Sequence, residues 1–183
     1  MAATTDHSAR GLHVDLIGQQ NYDLTDFAYD LANNYWFMEV RRYGVGNQQQ
    51  ESDVAKIFAA CSVRCESYEL EIKTLLANGG HLITTEYTGW FAHAMKLGMT
   101  VEWSTAVGKA MSPPDIVIYI RPSELTDADD EHKKWRDAYD DAARSNAVIV
   151  EVDGKTEIQL LNQTKAIVDA GLSVWHNRVN CGN

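Results

Sequence analysis

The chain has 183 residues, 45% of them hydrophobic and 23% charged, with a formal net charge of −10. That length suits one domain with a full hydrophobic core, and the acidic balance excludes nucleic acid as a main partner because phosphate backbones select basic surfaces. No apolar run approaches the ~20 residues that span a bilayer, so no membrane insertion is expected.

Met1 to Arg10 is a polar leader without the apolar core of a secretory signal. The stretch around which the chain is organised follows, from Gly11 to Leu31. His13 to Ile17 reads as a short strand that stops at Gly18. Beyond a loop, Leu24, Phe27, Ala28, Leu31 and Ala32 hold the spacing of one buried helix face. Asp23, Thr25 and Asp26 supply capping oxygens and negative charge at the helix start.

Trp36 to Val40 reads as a second strand, with Arg41 to Gly46 as the turn beyond it. A long helix, broken at most once, is expected from Ser52 to Ala77, with Gly79-Gly80 as its stop. Its apolar face is read as Val54, Ile57, Phe58, Cys61, Cys65, Tyr68, Ile72, Leu75 and Leu76. His81 to Thr85 is a strand, followed by a helix through Met95 and another from Val101 to Ala110, before the breaker Ser112-Pro113-Pro114-Asp115. Ile116 to Ile120 has the unbroken β-branched run of a central parallel strand covered on both faces. Asp129 to Arg144 is a charged amphipathic helix with Trp135 and Tyr139 inward; Ala147 to Val152 is the last strand and Glu157 to Ala170 the last helix. Alternating strands and helices give an α/β fold of three layers, a parallel sheet of about five strands with helices on both faces. One domain covers residues 1–183, residues 173–183 forming a C-terminal tail in which Trp175 packs on this chain or on a partner.

Taken together, these segments resemble the thymidylate kinase family of P-loop nucleoside monophosphate kinases. The likeness runs from about Leu12 to Leu172 and rests on order and spacing. Its best stretch is Phe58 to Arg64, then Leu70 to Gly80 and His81 to Tyr87. There the family has an arginine-bearing helix, a stop at Gly, a strand and an Asp-Arg-Tyr motif. Ser112 to Ile120 is similar to the family's Pro-Asp-Leu strand, and Arg136 to Tyr139 with Ala147 to Asp153 to its closing helix and strand.

The chemistry that the resemblance implies is incomplete. The family's phosphate loop is G-x-x-x-x-G-K-[ST], whose amides, Lys and hydroxyl hold donor phosphates and Mg²⁺. Here it reads Gly18-Gln19-Gln20-Asn21-Tyr22-Asp23-Leu24-Thr25. The first Gly and final Thr fit, the second Gly is Asp23, the Lys is Leu24, and Gln20 stands where the family has an acidic residue. A lost Lys contact costs roughly 1.5–3 kcal/mol. A carboxylate about 4 Å from phosphate adds repulsion of up to roughly 4 kcal/mol. Together these weaken ATP binding about a thousandfold or more.

Asp-Arg-Tyr becomes Thr85-Glu86-Tyr87, and the lid, which carries arginines in the family, is the acidic run Leu125 to Glu131. Phosphoryl transfer is mostly positioning and charge neutralisation, so reversed charge at three places implies that it is lost and that no ATP or Mg²⁺ cofactor is used. A residual nucleoside monophosphate site would consist of Gly18, Thr25, Arg41 (or Arg42), Arg64 and Tyr87; otherwise the arginines are surface residues paired with carboxylates and the Tyr is packed.

No catalytic residue and no metal site is expected. Cys61 and Cys65 lack zinc-knuckle spacing and read as buried free thiols. With Cys181 they make an odd set of three, which points to a reducing intracellular compartment, cytoplasm and mitochondrial matrix alike. The acidic run from Asp127 to Glu131 lacks a calcium loop's Gly and ligand spacing, so it reads as a solvated helix start. Tyr35, Trp36, Phe37 and Tyr43 are core or a protein interface. The leading expectation is a non-catalytic thymidylate-kinase-like protein, an accessory subunit bound to other protein subunits. The alternatives are a deoxynucleoside monophosphate kinase of the dTMP type that uses Mg-ATP through an atypical loop, and a nucleotide sensor.

Overall fold

A computed structural model describes residues 10–18, 24–35, 37–43, 52–110, 113–121, 130–143 and 147–181. The strands are β1 (His13–Gly18), β2 (Met38–Arg42), β3 (His81–Thr85), β4 (Ile116–Arg121) and β5 (Ala147–Glu151). All pair in parallel, in the order β2-β3-β1-β4-β5. The helices are α1 (Leu24–Ala32), α2 (Asp53–Ser67), α3 (Lys73–Ala77), α4 (Trp90–Lys96), α5 (Val101–Ala110), α6 (Asp130–Ala143) and α7 (Glu157–Cys181), with a π-helical turn at Tyr68–Ile72.

Alternation along β1 divides the core. Val14 and Leu16 face α1 and α7 with Ile83, Ile118 and Val150. Ile17 faces the opposite layer, with Ala92 of α4, Tyr119 of β4 and Tyr139 of α6. β1, paired on both sides and fully buried, carries His13 and Asp15 on that second face. The three-layer architecture expected from the alternation of elements is therefore present.

The long helix differs in detail. Arg64, Tyr68, Ile72 and Leu76 step by four, more than the 3.6 residues of an α-turn, and the wide turn at Tyr68–Ile72 takes up the drift. The inward stripe is Ile57, Ala60, Cys61 and Arg64. Val54 and Phe58, expected inside, are 45% and 56% exposed. Cys61 is buried but Cys65 is exposed, so only one of the two thiols lies on the inner face. Burial pushes the Cys61 thiol up to about 11, away from nucleophilic behaviour.

The last helix passes the expected stop at Ala170 because Leu160, Thr164, Val168 and Leu172 continue one buried stripe. Trp175 packs on this chain: its ring stands edge-on to His81 at 4.7 Å and its indole N–H donates to the Arg10 carbonyl. Tyr35 and Tyr43 are buried and Phe37 is 40% exposed; Trp36, residues 19–23 of the stretch compared with the phosphate loop, residues 44–46, and residues 125–129 of the run compared with the lid lie outside the described residues. Among the described residues, no helix is long and apolar enough to cross a membrane.

Gly11, at the entry to β1, donates its N–H to Leu76 O at 2.7 Å. A Cβ there would lie inside the backbone carbonyl of Gly80. Backbone cannot swing aside as a side chain can, so Gly11→Ala is expected to destabilise the fold by about 3 kcal/mol. A fall in the urea midpoint measures this; an unchanged midpoint would mean that the two segments do not touch.

Candidate functional site

In a parallel sheet, ligands bind outside the carboxyl ends of the strands, where the connections diverge to the two sides. β1 ends here at Gly18 between β3 and β4. Around that point lies a buried polar cluster built from β1, β3, the turn after β3, α2 and α6.

Asp15 is completely buried, and its carboxylate accepts from the Thr84 hydroxyl (2.8 Å), the Tyr87 N–H (3.0 Å), and the Thr88 N–H and hydroxyl (2.7 and 2.5 Å). Burial raises its pKa, and those donors oppose the rise. The carboxylate thus ties β1 to the turn after β3. On the same face of β1, His13 bonds Thr84 through Nε2 at 3.0 Å, and burial holds its pKa down at about 3.

Glu86 follows β3 with a φ of 60°, in the left-handed region. A non-glycine residue stays there at a cost of roughly 1–2 kcal/mol, so surrounding contacts must hold it. They are visible: the Gly18 N–H donates to Oε1 at 2.9 Å, and the Tyr139 hydroxyl to Oε2 at 2.8 Å. Burial pushes the Glu86 carboxyl up to about 8; the Gly18 and Tyr139 donors oppose the rise, Asp15 adds to it and Arg64 opposes it. At neutral pH it is mostly an uncharged acid.

Arg64 is 1% exposed. Nε donates to Tyr87 O at 2.7 Å, Nη1 to Ala60 O at 2.9 Å and Nη2 to Glu86 O at 2.7 Å, with the guanidinium 5.6 Å from the centre of the Tyr43 ring. The reading of Arg64 as a surface residue paired with carboxylates is corrected: it is internal, and its partners are backbone carbonyls.

This arrangement of strands, crossovers and layers is found in solved proteins. Thymidylate kinase from Ehrlichia chaffeensis superposes with a TM-score of 0.71 at 13% identity, over 87% of this chain and 99% of that one. Thymidylate kinase from Candida albicans gives 0.67 at 16%, over 88% and 92%. The fold is the thymidylate kinase fold. No protein-family model matches the chain, and no curated protein matches it.

Within that fold the five residues considered for a monophosphate site have different fates. Gly18 and Tyr87 join the buried cluster; Tyr87 stands edge-on to Tyr43 and His13 at 5.3 and 5.1 Å. Thr25 is the second residue of α1 and partly buried. Arg41 lies on β2 and pairs with Glu71 and Glu39, while the neighbouring Arg42 ends the strand exposed. Arg121, at the carboxyl end of β4, bonds Asp140 at 2.6 Å and Glu151 at 2.9 Å. Asp15 went unnoticed in the sequence, although a lone carboxylate inside an apolar strand was its signal. Tyr139 was placed inward from α6 but without its Glu86 contact.

Proposed function

We propose that the chain is a non-catalytic protein of thymidylate kinase fold that serves as an accessory subunit of a larger protein assembly. One observation carries the non-catalytic half of this reading: the amide of Gly18, the loop's first glycine, donates to the protein's own Glu86 carboxyl rather than standing open to a phosphate. The cations around the strand ends support it. Arg64 is engaged by carbonyls and Arg41 and Arg121 by carboxylates, so a phosphate reaching any of these three would have to displace an internal partner.

The test is calorimetric titration of the purified chain with Mg-ATP and with thymidine monophosphate, each alone. Neither is expected to bind at millimolar concentration. Micromolar binding of Mg-ATP, or turnover with thymidine monophosphate, would overturn the proposal in favour of an active kinase. Binding of the monophosphate alone would replace it with a nucleotide sensor.

A further inference from the structure

The Glu86 carboxyl occupies a pocket made by the end of β1, α6 and the turn into α4. The Gly18 N–H and the Tyr139 hydroxyl donate to its two oxygens at 2.9 and 2.8 Å. Arg64 of α2 fixes the backbone beneath it, donating to the Glu86 carbonyl at 2.7 Å. Glu86 as a residue keeps some exposure while its carboxyl is enclosed, so removing the side chain opens the pocket to solvent.

Gly89 shows that the pocket is shaped around this group. Its φ of −58° is one that any residue adopts, so conformation does not call for glycine there. Space does: a Cβ on Gly89 would overlap Glu86 Oε2. The missing methyl is the room that the carboxyl fills.

The surroundings suit a carboxylic acid better than a phosphate. Two donors serve two oxygens, the number a carboxyl has and fewer than a phosphate presents. Burial is the main reason that Glu86 titrates near 8; Asp15 adds to the rise, and the two donors and Arg64 oppose it. Surroundings that keep a carboxyl uncharged disfavour a phosphate dianion more strongly.

We infer that this pocket is a carboxylic-acid site whose tethered ligand is Glu86, so that removing the side chain lets a small aliphatic acid take its place. The inference rests on the reading that the end of β1 is closed to phosphate, and the two fail separately. Nucleotide binding to the unaltered chain overturns that reading, whereas the pocket is tested on a chain that lacks its occupant.

The variant is Glu86→Gly, which relieves the left-handed φ and leaves the Gly18 N–H and the Tyr139 hydroxyl without their partner, the drive for an incoming acid. The probe is acetate at pH 6, compared with chloride at equal ionic strength and with phosphate. About 100 mM acetate is expected to raise the melting temperature of Glu86→Gly by about 3 °C over chloride, the shift for a ligand in roughly tenfold excess over its dissociation constant. The unaltered chain and Glu86→Gln, whose pockets are filled, are expected to shift by less than a third of that, and phosphate is expected to do no more than chloride. Saturation transfer to the acetate methyl is expected with Glu86→Gly and not with the other two. No acetate shift in Glu86→Gly, an equal shift in all three proteins, or a larger shift with phosphate overturns the inference. Where Glu86→Gly fails to fold, Gly89→Ala tests the same pocket from its wall. The added methyl displaces the carboxyl, and carbon-13 NMR is expected to show Glu86 titrating well below its value in the unaltered chain; an unchanged titration overturns the inference.

Discussion

Arg64→Ala is expected to destabilise the chain by on the order of 4 kcal/mol. The substitution removes a guanidinium that donates to three carbonyls, two of them, Glu86 and Tyr87, more than twenty residues away in the turn after β3. Each carbonyl left buried without a donor costs about 1–3 kcal/mol, and the vacated volume adds a cavity cost. Against a typical total of 5–15 kcal/mol that is a large share. Arg64→Lys keeps the charge but loses the planar fork, and is expected to recover less than half of the loss. Urea unfolding followed by circular dichroism measures both. A loss below about 1 kcal/mol for Arg64→Ala would mean that the turn after β3 is held without the guanidinium. The result also bears on function: with so large a structural effect, loss of nucleotide binding or turnover in this variant would not identify Arg64 as a phosphate ligand.

Arg64 also shows where sequence reading stops. An arginine on a helix is usually exposed, and nothing within α2 distinguishes this one. What buries it is a set of carbonyls supplied by another element. The same rotation of α2 turns Phe58 outward, to stand edge-on to Trp103 at 5.7 Å, and exposes Cys65. Features with local causes were legible. The β-branched run of β4, the glycines after α3 and the prolines before β4 marked their elements to within a residue or two. The extension of α7 was missed because residues after Ala170 are polar enough to read as a tail, while Leu172 and Trp175 pack inward. The exchange of an arginine for Glu86 in the Asp-Arg-Tyr position was visible, but its result was not. The residue type alone implies a charge facing a phosphate; the structure has a buried acid bonded to the Gly18 amide and the Tyr139 hydroxyl.

That bonding makes Glu86→Gln the second informative variant, through pH. The Glu86 carboxyl titrates near 8 in the folded chain, against an ordinary 4.5. Between those values the unfolded chain has released a proton that the folded chain keeps. The stabilising contribution is therefore complete below about pH 4.5 and is lost as pH rises towards 8, by up to about 1.4 kcal/mol per unit. Gln has nearly the same shape, can still accept the Gly18 N–H and cannot ionise. Relative to the unaltered chain, Glu86→Gln should gain stability steadily from pH 5 to 8 and be the more stable protein at pH 8. His13 and His93, held down to about 3 and about 4 by burial, contribute the opposite slope below pH 6.5. They are common to both proteins and cancel in the difference. Urea midpoints at pH 5, 6, 7 and 8 check this, and a difference that stays flat would mean that Glu86 titrates like an exposed carboxylate. The slope has a functional consequence as well. Below pH 8 the group capping Gly18 is mostly a neutral acid that a phosphate would have to dislodge; above it, the same group adds a negative charge that repels phosphate. On the proposed reading, both sides of the titration would disfavour a phosphate at Gly18, by exclusion on one and by charge on the other.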